Sequence, residues 1–260
     1  MTRPILYCGD TSLDGAASYL AGLMTLFGWP FDYVPSDRRV SSELIEQPRS
    51  LLILSDYPAQ QFDDALQQVV ARQMDQGLGL LMIGGWESFH GMGGDWNDST
   101  LSRMLPVEIS TTDDRVNFDQ PALLHPAGWT DELWGLPWFQ RPPTIGGLNK
   151  FRAKSDSKVM LSVTPFNPQF DAETTTLRWR ESGDYFPALV TSDGGHGRAA
   201  AFASDVAPHW VGGFVDWGPT RVTAQAPGAP AIEVGCHYAQ FWKSLLSWTG
   251  KLELQESLET

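Results

Sequence analysis

Cysteine, basic residues and long hydrophobic runs are all scarce in this sequence. Only two cysteines occur, Cys8 and Cys236, and they match no metal-binding spacing, so we expect reduced thiols and a cytoplasmic protein. Lysine and arginine total 18 against 31 acidic residues, a formal charge of −13. This charge disfavours nucleic acids and anionic membranes as partners. No apolar run approaches the length of a membrane span, and the first residues do not resemble a secretion signal.

What the chain does contain is enough apolar sequence to build a large core. Hydrophobic residues make up 42% of the 260 residues, from which we expect one α/β domain over residues 1–260. In the first third of the chain, predicted strands and helices alternate, which is typical of a mostly parallel sheet with helices on both faces. The predicted strands are 4–9, 31–34, 51–55 and 79–83, and the predicted helices are 13–27, 41–47 and 59–76.

The rest of the chain has a different character. Residues from about 110 to 195 are predicted to be β-rich insertions and long loops, because they show few helical patterns. Segments 186–191 and 198–204 flank a predicted hairpin turn at 192–197, which contains His196. A surface loop is predicted at 218–230, and a closing helix from about 232 to 248.

Two apolar runs, at 78–89 and 198–210, end abruptly in small and polar residues. The carboxyl ends of buried parallel strands are where ligands collect in open α/β sheets, so both runs indicate one candidate site. We predict Glu87, Asp205 and His209 as its catalytic residues. The residues predicted to bind a ligand there are Gly84, Gly85, Trp86, Ser88, Asp56 and Trp210.

The predicted roles follow from chemistry. A carboxylate such as Glu87 in an apolar pocket has a raised pKa and serves as an acid or base, although an exposed loop acid is the alternative. Asp205 and His209 lie four residues apart, so a turn would let the aspartate orient the histidine; alternatively Asp205 caps a turn. Gly84 and Gly85 allow backbone N–H groups to approach an anion, but they form no nucleotide-binding motif.

No metal or other cofactor is predicted, because the spacing of the acids and histidines matches no metal motif. If a divalent metal did bind beside Asp205 and His209, the residues to complete its site would be Asp10, Asp56 and His237. Cys8 ends the first strand, and a buried thiol is favoured over a nucleophile there.

Tryptophan is frequent, with 11 residues. Two interpretations stay open: the rings cover sheet ends and subunit contacts, which suggests a homo-oligomer, or they form a stacking platform for a sugar-like ligand. The six in loop-like sequence are Trp86, Trp96, Trp129, Trp134, Trp138 and Trp210.

Several segments together resemble the class I glutamine amidotransferase-like proteins and, more distantly, the ThuA-like group. The matching pieces are 51–56, 75–89, 105–109, His125-Pro126 with Gly135-Leu136-Pro137, 197–210 and 238–248. The resemblance implies a flavodoxin-like three-layer sandwich. It also implies a cysteine on a sharp turn after a core strand, activated by a histidine and a glutamate from a later strand.

The sequence departs from that pattern, because 79–85 carries no thiol and 203–210 has its histidine in a different setting. Glutamine hydrolysis by a thiolate is therefore not expected. We predict a small-molecule-binding or regulatory module on the amidotransferase-like fold. The alternative is a hydrolase-type enzyme using Asp205, His209 and Glu87, with or without a metal, on a polar sugar-like substrate; an inactive scaffold in a larger complex is a third.

Overall fold

The computed structural model describes residues 4–128, 133–194 and 197–253, and its first third alternates strands and helices. Three of its five-residue strands, at 5–9, 51–55 and 79–83, are apolar and buried along their whole length, as expected for strands covered on both faces. The elements of this part are β1 Ile5–Gly9, α1 Ala17–Leu26, β2 Phe31–Pro35, α2 Ser42–Glu46, β3 Leu51–Ser55, α3 Asp64–Met74 and β4 Gly79–Ile83.

The rest of the chain is mostly strands until the final helix. Short 3₁₀ turns also occur at Ala59–Gln61 and Gly212–Phe214. The remaining elements are α4 Thr100–Met104, β5 Val107–Glu108, β6 Arg115–Pro126, β7 Thr144–Asn149, β8 Arg152–Ala153, β9 Lys158–Asp171, β10 Thr176–Glu181, β11 Phe186–Asp193, β12 Arg198–Phe202, α5 Pro208–Val211, β13 Arg221–Ala224, β14 Ile232–Gly235 and α6 Cys236–Gly250.

One large sheet joins both parts. In the described residues its order is β2-β1-β3-β4-β12-β11-β9-β6-β7, with β10 paired to the outer half of β9. The strands from β2 to β12 run parallel, whereas β11, β9, β6 and β7 are antiparallel. The insertions therefore extend the central sheet rather than standing apart from it.

Helices cover both faces of the parallel half. From β1 the chain moves to β2 on one side and returns to β3 on the other, so right-handed crossovers place α1 and α3 on opposite faces. Helix α6 packs against α1, and α3 packs against α2 and α4. This is the flavodoxin-like three-layer fold, and the order reverses between β1 and β3, where such sheets bind ligands.

The predicted strands of the parallel half agree with the structure, and β11 and β12 pair antiparallel as predicted for 186–191 and 198–204, although residues 195–196 of the predicted turn lie outside the described residues. The end of the chain differs. Ile232–Gly235 is a strand, not the start of the closing helix, and it pairs with Arg221–Ala224 inside the predicted surface loop. Ile232 and Val234 are buried while Glu233 is exposed, which is the alternation of a strand. Helix α6 begins only at Cys236.

No helix in the described ranges combines the length and apolar character needed to cross a bilayer.

Candidate functional site

Three aspartates follow strands that end at the same edge of the sheet. Asp10 directly follows β1, Asp56 directly follows β3, and Asp205 lies three residues after β12. Because β1 and β3 are parallel with Cys8 opposite Leu54, Asp10 and Asp56 leave the sheet side by side at the switch point. We call the carboxyls of Asp10, Asp56 and Asp205 the aspartate cluster, because the charge of Asp10 raises the pKa of Asp56 and the charges of both raise the pKa of Asp205.

The loop after β4 holds Asp56 in place. Its carboxylate oxygen Oδ1 accepts a hydrogen bond of 2.8 Å from the Glu87 N–H, and the carboxylate also accepts from the Trp86 N–H. The Asp56 N–H donates to Ser88 Oγ at 2.9 Å. The backbone of Asp56 has φ 51°, a left-handed conformation that aspartate tolerates better than most residues. Ser88, predicted to bind a ligand, thus orients a residue that faces the site.

Gly84 and Gly85 support the loop around Asp56 through their own hydrogen bonds, rather than offering free N–H groups to an anion as the sequence suggested. The Gly84 N–H donates to the Phe202 carbonyl at 2.8 Å, and the Gly85 N–H donates to Asn149 Oδ1 at 2.8 Å. Both N–H groups are therefore already hydrogen-bonded within the protein, which argues against their predicted use for an anion. A Cβ on Gly85 would lie 2.2 Å from both carboxylate oxygens of Asp56, so glycine is needed there for close packing.

Asn149 and Asp114 are supporting residues that the sequence reasoning missed. Asn149, at the end of β7, is fully buried and donates from Nδ2 to Asp114 Oδ1 at 2.8 Å. Asp114 in turn accepts from the N–H groups of His90 and Gly91, both at 3.0 Å. No local pattern marks either residue, because they meet the loop only through the pairing of the antiparallel strands.

The electrostatics of the aspartate cluster are unusual. Burial raises the pKa of Asp56 to about 7, with a further increase from the charge of Asp10, although the hydrogen bond from Glu87 opposes it. Burial raises the pKa of Asp10 to about 6, against a hydrogen bond from the Ala17 N–H at the start of α1. Burial and the charge of Asp56 raise the pKa of Asp205 well above its usual range. Protonated and ionised carboxyls therefore coexist here near neutral pH.

A tyrosine hydroxyl without a partner lies beside the cluster. Tyr7 on β1 is fully buried, and its hydroxyl makes no hydrogen bond with any described residue. Its ring runs along the strand toward the carboxyl end, since a Cβ on Gly9 would lie 3.1 Å from Tyr7 Cζ. Burial raises the pKa of Tyr7, and the charges of Asp10, Asp205 and Asp56 raise it further. The hydroxyl therefore points toward the carboxyl end of β1, where the charges of all three aspartates act on it.

Glu87 lies at this site, as the sequence suggested. Its side chain is half-buried, and burial raises its pKa while a hydrogen bond with Ser36 lowers it. Its charge in turn raises the pKa of Asp10 and of Asp56. Glu87 therefore forms the outer side of the cluster, next to solvent.

The predicted Asp205–His209 pair does not form. Asp205 is buried and its carboxylate accepts from the N–H groups of Val206 and Ala207, so it caps the turn that leads into α5. His209 is exposed on α5, and the described part of the chain offers it no hydrogen bond or ion pair. The two side chains point in different directions although they are four residues apart, because Ala207 between them has an extended backbone and the helix starts only after it.

Trp210 fills the core instead of facing a ligand. It is 2% exposed, its Nε1 donates to Asn117 Oδ1 at 2.7 Å, and a Cβ on Gly147 would lie 2.6 Å from Nε1. Trp86, in contrast, is 46% exposed and carries the Arg115 guanidinium 4.5 Å above its ring. Only Trp86 of the two is available to a ligand.

The other described loop tryptophans are buried or partly buried. Trp96 and Trp138 are buried, and the Trp96 Nε1 donates to the Tyr57 carbonyl at 2.8 Å. Trp134 packs partly buried against the core. Trp129 and His196 lie outside the described residues.

Neither cysteine reaches the aspartate cluster as a nucleophile. Cys8 is fully buried, and burial raises its thiol pKa far above the usual range. Cys236 begins α6, with its Sγ 3.9 Å from His237 Nδ1. Burial raises the pKa of Cys236, but hydrogen bonds led by one from the Thr220 side chain outweigh burial and lower it overall.

The residues considered for a metal do not assemble. Within the described ranges, no three or more histidine, cysteine, aspartate or glutamate side chains are arranged to hold a metal ion. His237 packs against the ring of Trp217 at 5.2 Å between centroids, at the start of α6. The set of Asp10, Asp56 and His237 is therefore not a ligand set in this structure.

Comparison with known proteins places this geometry in a family. A sequence model for the family described as "Putative glutamine amidotransferase" matches residues 49–225. A comparison with curated proteins gives no match.

Solved structures share the fold. Cytoplasmic Protein STM1381 from Salmonella typhimurium LT2 is 24% identical, with 95% of this chain and 99% of that chain covered at a TM-score of 0.67. Cytoplasmic Protein STM3548 from Salmonella typhimurium is 21% identical, with 95% and 98% covered at 0.67. A ThuA-like protein from Parabacteroides merdae ATCC 43184 is 12% identical, with 100% and 94% covered at 0.59. The family model covers well over half of this chain, which therefore belongs to the glutamine amidotransferase-like family.

Proposed function

We propose that this chain binds a small polar molecule at the switch point between β1 and β3, as a binding or regulatory module without thiol chemistry. The observation that carries the proposal is the aspartate cluster with the unpartnered hydroxyl of Tyr7. Buried carboxyls that repel one another cost free energy, and such arrangements persist mainly at functional sites. Asp10 and Glu87 are half-buried, so the cluster is open to solvent on that side.

We expect no thiol chemistry at this site, because the strand ends that form it present no reactive cysteine. β4 ends at Ile83, the N–H and Cα of the next residue, Gly84, are packed against the end of β12, and no cysteine stands at that turn. The thiol of Cys8 is shielded within the sheet and resists ionisation, so it is a poor nucleophile. A glutamyl thioester then has no attacking group at this site.

Two measurements test this proposal. Incubation with glutamine and detection of released glutamate is expected to give no signal above that of a variant lacking both cysteines. A thermal-shift screen of small polar compounds is expected to yield ligands whose effect is lost in Asp56→Asn. The matched control is Asp98→Asn, because Asp98 is exposed and has a similar left-handed backbone, φ 63°. The proposal would be refuted by glutamate release that depends on the cysteines, or by ligands whose thermal shifts are the same in the parent and in Asp56→Asn.

The second candidate is a hydrolase-type enzyme acting on a polar, sugar-like substrate. It is favoured by one observation: a carboxyl with a pKa of about 7, such as Asp56, is suited to general acid–base catalysis at neutral pH. In this second candidate, Asp205 and Glu87 remain catalytic residues as predicted from the sequence, and Asp56 replaces His209 as the third catalytic residue. Hydrolysis of nitrophenyl glycosides or acetyl esters, lost in Asp56→Asn and retained in Asp98→Asn and His209→Ala, would establish the enzyme.

We further propose a cytoplasmic homo-oligomer. β10 and the outer half of β9 form a ribbon in which Leu177 lies opposite Phe170 and Trp179 opposite Pro168. Phe170, Trp179 and Leu177 on its apolar face are 65%, 51% and 48% exposed. Among the described strands β10 pairs only with β9, so its free edge and apolar face suit a second copy across a two-fold axis.

A further inference from the structure

The aspartate cluster lacks a positive partner among the described residues. The groups that shift the pKa values of Asp10, Asp56 and Asp205 are burial, other carboxylates and backbone N–H groups, and none is a lysine or arginine. The other titratable groups that act there are Glu87, Tyr7, Tyr33 and Tyr238, which are negative or neutral. Uncompensated carboxylates in a partly buried position are most easily stabilised by a bound cation.

A second observation points the same way. The Tyr7 hydroxyl is buried and makes no hydrogen bond with any residue that the structure describes, although tyrosine hydroxyls usually find a partner when buried. It points toward the carboxyl end of β1, where the charges that act on it are those of Asp10, Asp56 and Asp205. A ligand that donates hydrogen bonds would satisfy both the hydroxyl oxygen and the carboxylates.

We propose that the ligand of this site carries a primary ammonium group, which binds to Asp10 and Asp56 and donates to the Tyr7 hydroxyl. The inference rests on the proposed function, because it names the chemical class of the same ligand. An ammonium has three donors and no acceptor, which matches a set of acceptors on three residues.

Other ligand classes fit less well. An anion would be repelled by the cluster and by the overall charge of −13. A neutral polyol leaves the mutual repulsion of the carboxylates unrelieved. Among the described residues, no three or more histidine, cysteine, aspartate or glutamate side chains are arranged to hold a metal ion. The edge-on rings of Tyr7 and Tyr33, with centroids 5.2 Å apart, add an aromatic wall next to Asp10, since the Tyr33 hydroxyl donates to the Asp10 carbonyl. Aromatic rings also favour a cation over an uncharged ligand.

Ammonium binding has a defined pH signature. A bound cation favours the ionised carboxylates, so binding releases protons and lowers the apparent pKa of Asp10 and Asp56. Affinity for the ammonium is therefore expected to rise from pH 5 to pH 8.

The experiment is a carboxyl ¹³C NMR titration of the full chain in methylammonium chloride and in sodium chloride at equal ionic strength. We expect methylammonium at 100 mM to lower the apparent pKa of Asp56 by about half a pH unit, a roughly threefold change in its acid dissociation constant. The exposed Asp98 carboxyl is the internal control and should titrate identically in both salts. Tyr7→Phe removes one acceptor, so it should shrink the methylammonium effect while leaving the fold and the titration of Asp98 intact.

The outcomes separate the inference from the proposed function. Identical titrations of Asp56 in the two salts overturn the ammonium inference, as does a larger effect of magnesium chloride. A ligand from the thermal-shift screen that needs Asp56 but carries no cationic nitrogen also overturns it, while leaving the proposed function in place. If no compound in the screen depends on Asp56 and methylammonium has no effect, both fail together.

Discussion

Replacing Asp56 by asparagine is expected to make the stability of the fold less dependent on pH, so that the variant is less stable than the parent at acidic pH and more stable above pH 7. The folded-state pKa of Asp56 is raised from 3.8 to about 7, which corresponds to about 4 kcal/mol at about 1.4 kcal/mol per pH unit. In the unfolded chain the carboxyl ionises near its ordinary value. Between the unfolded-state and folded-state pKa values of Asp56, the folded state therefore binds more protons than the unfolded state. The free energy of unfolding consequently falls as the pH rises toward 7.

The magnitude for the variant is smaller than this total. The neighbouring carboxyls share the cost, because each ionises more easily when another is neutral, so removing Asp56 recovers about 2 kcal/mol above pH 7. Asparagine tolerates the left-handed backbone and keeps one oxygen for the Glu87 N–H, but it offers the Trp86 N–H a poorer acceptor, at a cost of about 1 kcal/mol. We expect Asp56→Asn to be about 1 kcal/mol less stable than the parent at pH 4.5 and about 1 kcal/mol more stable at pH 8.

Urea unfolding followed by tryptophan fluorescence at pH 4.5, 6 and 8 measures this crossing. Asp98→Asn controls for the substitution itself, because the same chemical change at an exposed left-handed aspartate should leave the pH dependence parallel to the parent. Parallel curves for Asp56→Asn and the parent would refute the reasoning, since they would show that the carboxyl pays no ionisation penalty in the fold.

Three further predictions concern other residues of the site and surface. Gly85→Ala places a Cβ against the Asp56 carboxylate, so we expect a loss of about 1–3 kcal/mol in urea unfolding and loss of ligand binding, whereas Gly15→Ala, with open space around it, should change neither. His209→Ala should change the free energy of unfolding by less than about 0.5 kcal/mol and leave the thermal shifts caused by ligands unchanged. A tenfold loss of ligand affinity, measured by calorimetry, would show that His209 belongs to the site. Trp179→Glu should lower the mass measured by light scattering toward a single 28.8 kDa chain, and an unchanged oligomer would place the interface elsewhere.

Much of the parallel half was predictable because its signals are local. Five-residue apolar strands bounded by glycine, serine or aspartate alternate with helices whose caps stand in the sequence, such as Ser41, which accepts from the Leu44 N–H. The closing segment was mispredicted because Ile232–Gly235 lies directly before a strong helix, and an apolar run there is compatible with either structure until its partner strand is known. Division of the chain into a single domain stays a prediction.

The site was predictable in part for the same reason. Strand ends that carry Asp56, Glu87 and Asp205 can be recognised in sequence, and the structure brings all three to one edge. His209 and Trp210 were assigned to the site from their distance along the chain, which does not fix the direction of a side chain after a turn. The surroundings of Trp210 depend on Gly147 and Asn117, which the antiparallel strands supply, whereas His209 is exposed.

The sequence by itself determined the family, the parallel strands and the acids at their ends, because each depends on residues that are neighbours along the chain. Only the tertiary structure decided that Asp10 joins Asp56 and Asp205, that the N–H groups of Gly84 and Gly85 are occupied, and that Tyr7 is left without a partner. These contacts follow from the order of strands in the sheet, which juxtaposes residues distant in sequence. Burial then shifts their pKa values, and burial is a property of the assembled fold rather than of any segment.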